Sequence, residues 1–186
     1  MSDKLLQVSF AADARIHYQP RDVDPTGVRR WDVIADICKK HGLRNGAEIG
    51  VKRGVFTAHI LKHVPRSTMI AVDPWAPSDY YPDWLHERNY ADFKIRTAGL
   101  AVTEMRMLSQ EAAPLVPDGS LDFVFIDADH SRAAVEQDIA LWLPKVRGGG
   151  LVSGHDIDKF QVEHAVRAKI PHFEVGRGKV WYAWKR

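Results

Sequence analysis

The strongest constraint in this sequence is an alternation. Short apolar runs that stop at an acid or a glycine take turns with segments of helical periodicity. They are Ala47–Val51, Thr68–Val72, Leu121–Ile126 and Leu151–Ser153, with Val102–Leu108, more polar and followed by Ser109, reading as a further strand third in order. Between them lie Val55–Val64, stopped by Pro65, then Leu85–Leu100, a short helix Ser109–Leu115, and Ser131–Leu143 with Val135, Ile139 and Trp142 on one face. The glycines Gly148-Gly149-Gly150 read as a turn before the fifth run. Runs without a polar face belong to strands buried on both sides, and the helices between them supply the cover. The expected fold is α/β: a doubly wound, Rossmann-like sheet, mostly parallel.

Both ends depart from this pattern. Met1 to Gly27 reads as an extended arm, and Val28–Lys40 as an amphipathic helix closed by Gly42. A last helix carries Val162, Ala165 and Val166 and stops near Pro171. His172–Val175 and Lys179–Trp184 then flank Gly176-Arg177-Gly178 as an antiparallel C-terminal hairpin. The length, 186 residues, fits one domain, with residues 1–45 as arm and helix and 46–186 as the core.

Composition narrows the partners. Lys+Arg minus Asp+Glu is 26 − 24 = +2, a near-balance that gives no reason to invoke a nucleic-acid or membrane-surface partner. No apolar run reaches the roughly 20 residues of a membrane span. Cys38 is the single cysteine, so neither an internal disulfide nor a cysteine zinc site is available. Met1–Phe10 lacks the apolar core of a signal peptide, and the expected location is cytoplasmic.

Ligands of open α/β sheets bind beyond the carboxyl ends of the strands. The first strand leads into Glu48-Ile49-Gly50-Val51-Lys52-Arg53-Gly54. Gly50 permits a tight turn, and Gly54 lets a ligand or the following helix come close; a plain strand-to-helix turn would use the same glycines. The second strand ends in Asp73, whose carboxylate suits a ribose diol. The lack of GxGxxG favours a nucleoside without a pyrophosphate. Ser109-Gln110 ends the third strand and suits an adenine edge, or, for Ser109, a helix cap. The fourth and fifth strands end in Asp127-Ala128-Asp129-His130 and Gly154-His155-Asp156. Asp127, His155 and Asp156 on one rim have the donor types of a divalent-cation site. Solvent-facing or helix-capping roles are the plain alternative for Asp129, His130 and Asp156. Trp75, Tyr80, Tyr81 and Trp84 would form a lid over an acceptor, or pack on the domain.

Phe125–Ser131, Trp142-Leu143-Pro144 and Gly148–Asp156, in that order, resemble class I S-adenosylmethionine-dependent methyltransferases. Among these, the chain is similar to small metal-dependent O-methyltransferases, from about Ala47 onward. The resemblance implies S-adenosyl-L-methionine as cofactor, bound around Glu48, Gly50, Gly54, Asp73, Ser109, Gln110 and Asp127. It implies Mg2+ or another divalent cation at Asp127, His155 and Asp156, although His155-Asp156 stands where that group has Asp-Asn. Asp127 and His130 would be catalytic, with His130, near the position of a lysine in that group, as the base. The implied reaction is methyl transfer to a small-molecule acceptor, at a hydroxyl oxygen. A nucleotide-cofactor oxidoreductase and a non-catalytic cofactor-binding subunit are the competing readings. The lone Gly50/Gly54 pair and the terminal hairpin argue against the first. No inserted acceptor domain remains, so a lid would come from the arm, the aromatic loop or the neighbour in a homodimer.

Overall fold

The computed structural model describes residues 27–76 and 82–186. The expected arm up to Thr26, and Pro77, Tyr80 and Tyr81 of the aromatic loop, lie outside the described residues.

Seven strands form one sheet: β1 (Asn45–Ile49), β2 (Thr68–Val72), β3 (Val102–Met105), β4 (Leu121–Ile126), β5 (Val146–Gly154), β6 (Glu174–Val175) and β7 (Trp181–Trp184). Their order is β3-β2-β1-β4-β5-β7-β6. The first five are parallel, while β7 runs antiparallel between β5 and β6. The doubly wound sheet with its antiparallel C-terminal hairpin is therefore as expected, and the hairpin's second strand is the one that joins the sheet.

Among the described residues, six α-helices flank the sheet: α1 (Arg30–His41), ahead of β1, then α2 (Val55–His63), α3 (Asp83–Thr97), α4 (Ser109–Ala112), α5 (Arg132–Trp142) and α6 (Phe160–Lys169). Strand alternation sorts the core into two layers. Phe123 and Phe125 of β4 face Trp31, Ile34, Phe56 and Ile60 of α1 and α2. Val124 and Ile126 face Val135, Ile139 and Trp142 of α5 and Val162 and Val166 of α6. Both faces of β4 are apolar because both are covered.

Two boundaries differ from expectation. β3 ends at Met105 rather than Leu108, since the N–H of Met107 turns back onto the Met105 carbonyl. Gly148-Gly149-Gly150 lie inside β5 rather than before it. The register of β5 against β4 jumps from Leu121↔Val146 to Phe123↔Leu151, so the glycines form an irregular insertion in the ladder. Among the described residues no helix is long and apolar enough to cross a membrane.

Candidate active site

The sheet ladder itself places the rim. The N–H of Gly50 donates to Val72, Asp73 to Met105, Asp127 to Ile49 and His155 to Ile126, each across to the end of the adjacent strand. Side chains that are far apart in sequence are thereby set in one row. Gly50 (φ 87) holds the row together: a Cβ there would lie 2.4 Å from the Asp127 carbonyl oxygen. No side chain fits between the β1 turn and the end of β4.

Glu48 is buried at the end of β1. Its Oε2 accepts hydrogen bonds from the Thr57 N–H (3.0 Å) and hydroxyl (2.5 Å) on α2. Burial pushes its pKa up to about 8, and the Asp127 charge adds to this, against the Thr57 hydrogen bonds and the Arg30 guanidinium. At neutral pH this side chain is mainly a neutral acid.

Asp73 is used locally. Oδ2 accepts from the N–H groups of Val51 (3.0 Å) and Lys52 (2.8 Å), and Oδ1 from Trp75 (2.8 Å). Lys52 and Trp75 have φ of 53° and 41°, a conformation that costs a non-glycine residue of order 1–3 kcal/mol. The carboxylate holds both turns in place. Three of its roughly four acceptor positions are taken, which leaves about one for a hydroxyl and not the two of a diol. Trp75 is buried against Tyr90 and Phe93, with its indole N–H donating to the Lys52 carbonyl (2.6 Å). It packs on the domain and is no part of a lid; Trp84 is exposed. Gly54 directs its vacant Cβ position at the Phe93 ring (2.6 Å), so the close approach there is by α3.

Ser109 does not cap α4. Its hydroxyl donates to Asp138 (2.5 Å) and accepts from the Trp142 indole N–H (2.9 Å), both on α5. The helix is capped instead by Glu111, which accepts from the Leu108 N–H. Gln110 is exposed at the rim.

The β4 and β5 ends form a cluster of charge. His130 Nε2 lies 2.7 Å from Asp156 Oδ2 and 3.6 Å from Asp127 Oδ1. His155 Nδ1 lies 3.3 Å from Asp156 Oδ1 and 3.6 Å from Asp127 Oδ1. Lys159 reaches Asp156 Oδ2 (2.6 Å), and Arg30 Nε lies 3.1 Å from Asp127 Oδ2. Asp156 has φ 57, a third left-handed residue on the rim. Burial alone would raise both aspartates, but the imidazoles and the neighbouring cations outweigh it and hold both far below the usual range. The same pairing, Asp127 first and Asp156 second, lifts His130 to about 9. A neutral-pH base was expected there, yet the carboxylates keep this ring protonated. Asp129 accepts from the Ser131 N–H (2.6 Å), and Ser131 itself caps α5.

The donors expected for a cation were Asp127, His155 and Asp156. The three whose ligand atoms lie within 4.8 Å of one another are Asp127, His130 and Asp156, with His155 behind them. His130 Nε2 is shielded from solvent and makes no aligned hydrogen bond, despite its short distance to Asp156. Two carboxylate oxygens and an imidazole nitrogen that converge on one point are donors of the types that take a divalent cation.

A family model described as a methyltransferase domain matches residues 47–157, more than half of the chain. The chain belongs to this methyltransferase family. Solved structures share its fold at low identity. An O-methyltransferase from Bacillus cereus in complex with SAH is 16% identical, with TM-score 0.60, over 90% of this chain and 84% of that one. The O-methyltransferase TomG from Streptomyces achromogenes, involved in tomaymycin synthesis and solved with SAM, is 13% identical, with TM-score 0.61, over 84% and 79%. No curated protein matches the sequence.

In this methyltransferase, three site contributors escape sequence reading. Arg30 comes from α1, far from any strand end. Thr57 is one small residue on α2. Lys159 sits three residues beyond Asp156, and only the turn at Asp156 brings it back. The spacing of Lys159 from Asp156 was the one available signal.

Proposed function

We propose that this methyltransferase moves the methyl group of S-adenosylmethionine to a hydroxyl oxygen of a small acceptor, with a divalent cation at Asp127, His130 and Asp156. The observation that carries the reading is the Gly50 contact. It sets the turn after β1, where the family match begins, directly against the cation donors at the end of β4. The SAM- and SAH-bound O-methyltransferases with the same fold support the cofactor and the acceptor atom.

The sulfonium methyl of the cofactor is already activated, so the protein's task is orientation. Asp73 fixes the turns of Lys52 and Trp75 and offers its remaining acceptor position to a ribose hydroxyl. Glu48, held neutral by burial, keeps α2 seated behind the turn through Thr57. A bound cation would hold the acceptor oxygen and lower its pKa. His130 acts as a ligand, which requires its neutral form; a proton and a cation compete for Nε2.

The deciding experiment follows labelled methyl from S-adenosylmethionine into a panel of small hydroxylated acceptors, with SAH binding measured by calorimetry. The expected result is SAH binding and label transfer that EDTA removes and Mg2+ restores. Transfer unchanged in EDTA would take the cation out of the mechanism. Absence of SAH binding would overturn the whole reading.

A further inference from the structure

Arg30 is the first residue of α1, and the fold holds it in place from three sides. Its backbone packs closely on Gly178, where a Cβ would come within 3.0 Å of the Arg30 N. Its guanidinium lies 4.9 Å from the centre of the Trp31 ring. Its Nε reaches Asp127 Oδ2 at 3.1 Å, with the side chain only 16% exposed. The guanidinium also favours the ionised form of Glu48, against the burial that keeps it neutral.

Asp127 thus meets a fixed positive charge on Oδ2 while its Oδ1 faces His130 and His155. Asp156 is shared between His130 and Lys159. The two aspartates carry two negative charges, and Arg30 and Lys159 alone supply two positive ones. A divalent cation entering between them meets carboxylates that are already neutralised. Lys159 is half exposed and can swing into water, whereas Arg30 is packed.

We propose that Arg30 is a built-in counter-charge which competes with the divalent cation for Asp127, so that α1 sets the cation affinity of the rim. This rests on the cation reading above. Direct binding tests it, with no need for turnover. Mn2+ titration of the full chain, followed by the electron paramagnetic resonance of free Mn2+, compares wild type, Arg30→Gln and Arg30→Lys. Arg30→Gln is expected to bind at least tenfold more tightly, which is about 1.4 kcal/mol; Arg30→Lys, which keeps the charge, should stay within threefold of wild type. Equal or weaker binding by Arg30→Gln overturns the role of Arg30 alone. No binding by any of the three overturns the cation reading together with it. Should Arg30→Gln fail to fold, the wild type still decides. Mg2+ is expected to shift the Arg30 Nε–H resonance, assigned as the one missing in Arg30→Lys, and an unmoved resonance counts against the competition.

Discussion

The two ends of the rim hold their carboxylates by different means. At the β1–β2 end, Glu48 and Asp73 are bonded to main-chain N–H groups and one hydroxyl. At the β4–β5 end, Asp127 and Asp156 face charged side chains at distances from 2.6 to 3.6 Å. Main-chain donors are part of the fold and cannot leave. Side-chain cations are held by charge, and another charge can replace them.

Three substitutions probe this contrast. The largest effect is expected for Asp127→Asn, which removes the charge shared by Arg30, His130 and His155. kcat/KM should fall about 10²–10⁴-fold, the range of losing Lewis-acid assistance, while calorimetric SAH binding stays within a few-fold. If SAH binding falls as steeply as turnover, the two ends are not separate. Asp73→Ala comes next. It strands three N–H donors in two left-handed turns, and equilibrium denaturation should record a loss of about 2–4 kcal/mol together with SAH binding. Unchanged stability would show that the turns hold without the carboxylate.

Glu48→Gln is the smallest and carries a pH signature. The folded pKa is raised from 4.5 to about 8, so the folded state binds the extra proton. Wild-type stability due to this group is therefore full below about pH 4.5 and declines as pH rises towards 8. The amide variant lacks that decline. Denaturation at pH 5 and pH 8 should show Glu48→Gln gaining on wild type at the higher pH. A constant difference between the two pH values would mean that Glu48 is ionised throughout.

The strand ends were legible because a parallel sheet must be apolar on both faces, which makes Asp73, Asp127 and the polar turn at 154–156 stand out. The ordered motif from Phe125 to Asp156 likewise announced the family. Other features depend on packing that no local pattern encodes. Trp75 has the composition of a lid residue, yet the left-handed turn at Trp75 aims its ring inwards. Ser109 looks like a cap, but Trp142 and Asp138 of α5 claim its hydroxyl. Asp127 and Asp156, just beyond two strand ends, also favour the protonated form of His130. Arg30 is invisible because it reaches Asp127 only through the packing of α1, which also closes onto the last hairpin.

That closure bears on how the molecule assembles. The contact of Arg30 with Gly178 joins the first described helix to the loop before β7, across almost the whole sheet in sequence. Loop closure of that span comes at an entropic cost that local helices do not meet, so such contacts form late. The helix that carries the Arg30 charge is thus tied to the last hairpin by a contact that no local structure supplies.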